Sequence, residues 1–237
     1  MAVSSSFQSW EGFWRDAPGG RGEVLWDADP EFVAATHLPL FEPYFDDSLP
    51  VVDLGCGNGT QTRFLAQRYG RTLGADLSFA AILQARAGDP AGSAEYRQLD
   101  AGDVASLQVL HRELGDSNIY LRGVLHQAPP EDRADIARGI ATLAGARGRV
   151  FDVEPAPTAK DVFATLMKRP EGPPAKLRAI FDHGITPAEA GDEEFERLLC
   201  EAGLTVLAAG ELPLSTTVLA ADGSRVELPS RWLVAGR

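Results

Sequence analysis

Val51-Val52-Asp53-Leu54-Gly55-Cys56-Gly57-Asn58-Gly59-Thr60 is the stretch on which the fold turns. It begins inside a short apolar run, residues 49–54, that reads as a buried strand. It ends at the start of an amphipathic helix, residues 60–69, with Phe64, Leu65 and Tyr69 on one face and Gly70 as its stop. Between them, Gly55, Gly57 and Gly59 let the backbone turn sharply and approach a ligand closely. The helix start offers unpaired N–H groups to a carboxylate, and Asp53, just ahead of the loop, can hold an ammonium group. The G-x-G-x-G spacing departs from the G-x-G-x-x-G of a pyrophosphate site, so the ligand expected here carries an amino-acid moiety rather than a dinucleotide.

Working outward, short apolar runs at 72–76, 94–99, 118–125 and 148–154 alternate with helical patterns, as in βαβ units of a parallel sheet. Ser78 caps a helix bearing Ile82 and Leu83. Asp103 opens one bearing Val104, Leu107, Leu110 and Leu114, and Pro130 fits the first turn of one bearing Ile136, Ile140 and Leu143. Asp76 ends the second strand, 23 residues after Asp53, where a carboxylate can accept both hydroxyls of a ribose. At the end of the third strand, Asp100 could accept from an adenine amino group while the Ala101 N–H donates to the ring.

The rhythm breaks at the proline-rich stretch 155–191, whose two short helical patterns (Val162, Phe163, Leu166, Met167, then Leu177, Ile180, Phe181) suggest an insertion. A helix at 193–202 closed by Gly203, a strand at 204–209 and a hairpin of 216–220 with 225–235 about Asp222-Gly223 complete the chain. The fold class expected is α/β: a Rossmann-like, seven-stranded, mostly parallel sheet with an antiparallel C-terminal hairpin. In this single domain, residues 1–48 form an N-terminal cap segment, 49–154 the cofactor-binding core, 155–191 a substrate lid after the fifth strand, and 192–237 the closing helix and hairpin.

The pieces VVDLGCGNGT, GADLS, YRQLDAGD, IYLRGVLHQ and GRVFDVEP, in this order, resemble the class I S-adenosylmethionine-dependent methyltransferase superfamily of small-molecule type. The likeness covers about residues 49–154 and is weaker in EEFERLLCEAGL and the last strands. It implies S-adenosylmethionine as cofactor and S-adenosylhomocysteine as product. By resemblance, Asp53, Gly55, Gly57 and Gly59 contact the methionine part, Asp76 the ribose, and Asp100 with Ala101 the adenine. Cys56 and Leu77 complete the expected cofactor set.

Methyl transfer asks an enzyme mainly for alignment and exclusion of water, and a base is needed only for a poor nucleophile such as a hydroxyl. Ligands of open α/β sheets sit beyond the carboxyl ends of the strands. His126 and Glu154, after the fourth and fifth strands, are therefore the catalytic candidates. Packing or cofactor orientation is the competing role for His126. Arg122 in the fourth strand needs a carboxylate, either as a structural ion pair or from substrate. Trp14, from an aromatic-rich N-terminus, and Phe163 and Met167 from the insertion are the other substrate candidates.

The net charge of −12, from 34 acidic and 22 basic residues, disfavours a nucleic-acid partner. The absence of an N/D-P-P-Y/F run and of a Pro-Cys nucleophile speaks against nucleobase chemistry. No apolar stretch reaches the roughly 18 residues of a membrane helix, and no secretory signal is visible, so a cytoplasmic setting is the expectation. Cys56 and Cys200 suggest neither a disulfide framework nor a zinc site, and no metal is expected. The activity expected is methylation of a small organic acceptor, oxygen preferred, in secondary metabolism. Nitrogen or carbon methylation, a non-catalytic binding protein and a nicotinamide oxidoreductase are the alternatives. Monomer and homodimer are equally open.

Overall fold

A computed structural model describes residues 5–186, 190–191 and 193–237. The central sheet has seven strands in the order β3-β2-β1-β4-β5-β9-β6: β1 (Val51–Leu54), β2 (Thr72–Asp76), β3 (Glu95–Gln98), β4 (Asn118–Arg122), β5 (Arg149–Pro155), β6 (Thr205–Glu211) and β9 (Ser230–Gly236). The first five pair in parallel, and β9 runs antiparallel to both β5 and β6. The order reverses between β1 and β4, so the carboxyl ends of these two strands flank a crevice where ligands of such sheets bind.

Alternation along the strands sends side chains to two cores. Val52, Leu54, Ile119, Leu121 and Val150 meet α5 (Val104–Leu114), α6 (Pro130–Ala144) and α9 (Glu194–Glu201) through Leu107, Ile140, Leu143 and Leu199. Val51, Tyr120, Phe151 and Val153 meet Phe41 of α2 (Ala34–Phe41) and Leu65 of α3 (Thr60–Arg68) on the other face. Arg133, almost fully buried, donates to Glu194 at 2.8 Å and to the Ala128 carbonyl at 3.1 Å, and so ties α6 to α9.

A third core joins parts remote in sequence. Phe13 and Trp14 of α1 (Ser5–Asp16) and Leu25 pack with Leu166 of α7 (Ala159–Met167), Leu177 and Ile180 of α8 (Ala175–Asp182), and Val218 of β7 (Leu214–Leu219). The helices α7 and α8 form where the insertion's two apolar patterns lie, and they pack against the N-terminal cap. No helix among the described residues is long and apolar enough to cross a membrane.

Two boundaries differ from the sequence reading. The fourth strand stops at Arg122 rather than at residue 125, because Gly123 turns the chain at φ +70° and residues 125–127 form a 3-10 turn. The terminal hairpin forms about Asp222-Gly223, but Pro229 divides its long second arm. β7 pairs with β8 (Arg225–Leu228) in a separate two-stranded sheet, and only β9 enters the main sheet. Proline has no N–H for the ladder, so the run cannot continue unbroken through it.

Candidate active site

The loop between β1 and α3 is held from below by β2. Gly55 and Cys56 N–H both donate to the Ala75 carbonyl, at 2.7 and 3.0 Å, and Gly57 N–H donates to Asp76 Oδ2 at 2.8 Å. Gly57 has φ +54°, and a Cβ there would meet Trp14 Cζ2 at 2.6 Å. The glycine is thus required by the close approach of the indole as well as by the turn. A Cβ at Gly55 would meet Val124 at 2.5 Å, and one at Gly59 would meet Tyr96 at 2.7 Å.

A cavity of about 470 Å³ opens beyond the strand ends. Of the expected cofactor residues, Gly55, Cys56, Gly57, Asp76, Leu77, Asp100 and Ala101 line it. Asp76 Oδ1 accepts from Ser78 N–H at 2.9 Å, so each of its carboxylate oxygens already has one backbone donor. Burial raises Asp76 from 3.8 to about 6, against the opposing effect of those two amides. Asp100 Oδ1 accepts from Gly102 N–H at 2.8 Å.

Asp53 and Gly59 do not line the cavity. Strand alternation points Asp53 away from the side of Leu54, toward α3, where its Oδ2 accepts from Thr62 Oγ1 at 2.5 Å. Burial raises it to about 6, partly offset by Thr62 and Arg122. Its side chain braces the strand-helix junction rather than lining the cavity. The cavity-lining carboxylate next to the loop is Asp27, which sequence reading missed. It is buried, and its Oδ2 accepts from Gly22 N–H at 2.7 Å and Asn58 Nδ2 at 2.8 Å.

On the opposite wall, His126 lines the cavity from the 3-10 turn after β4. Glu154 stands behind it. Its Oε1 accepts from Val124 and Leu125 N–H at 2.8 and 2.7 Å, and its Oε2 accepts from His126 N–H at 3.3 Å. The same Oε2 lies 2.5 Å from His126 Nδ1. A carboxylate there fixes the proton on Nδ1 and leaves the Nε2 lone pair outward, where the Gln127 amide meets it at 2.8 Å. Glu154 itself does not line the main cavity and meets it through His126. Asp152, two residues earlier on β5, is buried with Oδ1 unpartnered, and burial together with Glu154 holds its carboxyl well above the usual range.

Trp14, Arg122 and Phe163 line the cavity, whereas Met167 does not. Val162, Phe163 and Leu166 take the inner face of α7, and Met167, one position on, is turned by about 100° into solvent. Arg122 forms no ion pair among the described residues, and its Nε is buried without a hydrogen-bond partner. The structural ion pair considered for it is not found. Trp10, Phe13 and Trp26 form an aromatic cluster, with Phe13 and Trp26 centroids 5.2 Å apart, beside Trp14.

A family model described as a methyltransferase domain matches residues 51–148. The structure of an S-adenosylmethionine-dependent methyltransferase from Anabaena variabilis is 30% identical, covers 100% of this chain and 96% of its own, and superposes with a TM-score of 0.90. The chain belongs to the S-adenosylmethionine-dependent methyltransferases. Its cofactor is S-adenosylmethionine, and the donor set suits that group: a buried carboxylate at a strand end, a glycine loop and an apolar-walled cavity. Two further methyltransferase-fold matches share the fold alone. One, from work on conversion of a disulfide bond into a thioacetal group during echinomycin biosynthesis, is 18% identical over 99% of this chain and 93% of its own, TM-score 0.69. Magnesium protoporphyrin IX methyltransferase from Synechocystis, with bound S-adenosylhomocysteine, is 18% identical over 99% and 95%, TM-score 0.54. No curated protein sequence matches this methyltransferase.

Proposed function

We propose that this methyltransferase methylates a hydroxyl oxygen of a small organic acceptor, with His126 as the base. When bound, the cofactor supplies an electrophilic methyl group on its sulfonium. The chain's own residues do the rest. Asp76 accepts the ribose hydroxyls, Asp100 and Ala101 meet the adenine, Leu77 and Cys56 pack beside it, and the backbone of Gly55 and Gly57 leaves room for the methionine half. Asp27, rather than Asp53, faces the ammonium, and Trp14 closes the loop from the N-terminal side.

The observation that carries the reading is the His126–Glu154 pair. A hydroxyl is a weak nucleophile until its proton is taken, and a histidine with Nδ1–H committed to a carboxylate presents Nε2 as the acceptor. The Gln127 amide meets that lone pair, and an acceptor hydroxyl takes its place. Phe163, Leu177 and Phe181 from the lid, with Leu214 and Leu228 from the hairpin, wall the acceptor end and keep water out.

The test is mass-detected transfer from methyl-labelled cofactor to matched phenols, alcohols, amines and thiols. Methyl ethers formed by the wild type and lost in His126→Ala are expected. Exclusive formation of N-methyl products, or ether formation undiminished by His126→Ala, would overturn the reading.

A further inference from the structure

Among the described residues Arg122 is the one lysine or arginine that lines the cavity, and it has no counter-ion there. It ends β4, at the centre of the sheet, and lines the cavity. Its Nε is buried with no partner, and it makes no ion pair among the described residues of a chain with 34 carboxylates. The carboxylate that feels its charge, Asp53, spends Oδ2 on Thr62. His37 and Tyr120, which also feel the charge, satisfy each other at 2.7 Å, and His37 is held neutral by burial. An unpaired guanidinium in a partly dry site is costly unless a ligand neutralises it, and its planar fork matches a carboxylate.

Alternation along β4 places Arg122 on the face of Tyr120, with Leu214, Ser215 and Leu228 of the hairpin among the other cavity walls. Asp76 ends β2 and Arg122 ends β4, so the acid and the cation flank the glycine loop after β1 from opposite sides. We propose that the methyl acceptor is a hydroxylated carboxylic acid, whose carboxylate Arg122 binds while its hydroxyl meets His126. This rests on the acceptor site proposed above and specifies its substrate class. Three residues separate Arg122 from His126 across the Gly123 turn, so a compact acceptor, with its apolar body against Phe163 and Leu177, can reach both.

The test uses the full chain saturated with S-adenosylhomocysteine, titrated with 3- and 4-hydroxybenzoate, 4-hydroxyphenylacetate and 3-hydroxybutyrate, each against its own amide. The acids are expected to bind the wild type at least about tenfold more tightly than the amides. Arg122→Met is expected to erase that preference, Arg122→Lys to restore part of it, and both to bind S-adenosylhomocysteine within about twofold of wild type. The ligand-free Arg122→Met protein should melt no lower than wild type, because no structural ion pair is lost. Equal binding of acids and amides, failure of every acid to bind, or a preference that survives Arg122→Met would overturn the proposal. So would a large fall in S-adenosylhomocysteine affinity in Arg122→Met, which would assign the guanidinium to the cofactor's own carboxylate. Absence of S-adenosylhomocysteine binding by the wild type would instead refute the underlying cofactor reading.

Discussion

Gly57→Ala tests how the N-terminal segment is built onto the glycine loop. At φ +54° an L-residue pays the left-handed penalty of about 1–2 kcal/mol. The new Cβ would also stand 2.6 Å from Trp14 Cζ2 and 2.9 Å from Cη2, well inside contact distance. Overpacking of this kind costs about 1–3 kcal/mol, so the two contributions together come to about 2–5 kcal/mol. Both clashing atoms belong to the six-membered ring of the indole, and Trp14→Phe takes them away. In a Trp14→Phe background only the backbone penalty should remain, which leaves a coupling energy of about 1–3 kcal/mol between the positions. Urea denaturation of the four proteins, with midpoints and slopes fitted together, measures it. A Gly57→Ala cost equal in both backgrounds, within about 0.5 kcal/mol, would refute the claim that Trp14 rests on the loop.

Three further outcomes are expected. His126→Ala should lower turnover by about 10²–10⁴ with S-adenosylhomocysteine affinity unchanged, as steady-state kinetics and calorimetry would show; a joint loss of both would make the residue structural. Asp76 is held at about 6, so it is ionised at pH 7 and protonated at pH 5. Affinity for S-adenosylhomocysteine should therefore fall as pH drops through 6, where the carboxyl can no longer accept two hydroxyl donors. The stability that protonated Asp76 contributes follows the opposite course, complete below 3.8 and lost as pH rises through about 6. Calorimetry at pH 5 and 7 checks the first and melting from pH 4 to 7 the second, with Asp53 adding a parallel slope. Phe163→Ala should raise the acceptor KM while Met167→Ala stays within about 0.5 kcal/mol of wild-type stability and leaves KM alone; the reverse pattern would misplace the face of α7.

The parts of the fold that read directly from sequence are those where local rules suffice. The strand, glycine loop and helix around Gly57 follow from backbone sterics, and Asp76 follows from its place at a strand end. The direction of side chains was harder to read. Adjacency to the loop and the family resemblance both point Asp53 at the ligand, whereas strand alternation sends it to Thr62. Met167 and Phe163 belong to a nine-residue helix, too short for its apolar pattern to fix which face is inner. Asp27 lies in an irregular segment, and its place in the cavity wall and its long-range hydrogen bond to Asn58 exist only in the folded chain. Glu154 was visible as a strand-end acid, but the amides of residues 124–126 that turn it toward His126 exist only once Gly123 has turned the chain.

Calorimetric titration of S-adenosylhomocysteine into the wild type and Asp76→Ala is the most direct test of the site. One saturable site per chain is expected in the wild type. In the variant, loss of hydroxyl bonds to a charged group should weaken binding by at least about 1.5 kcal/mol, roughly tenfold. Equal affinity in the two proteins, or no binding to the wild type, would contradict the placement of the cofactor over the glycine loop and β2.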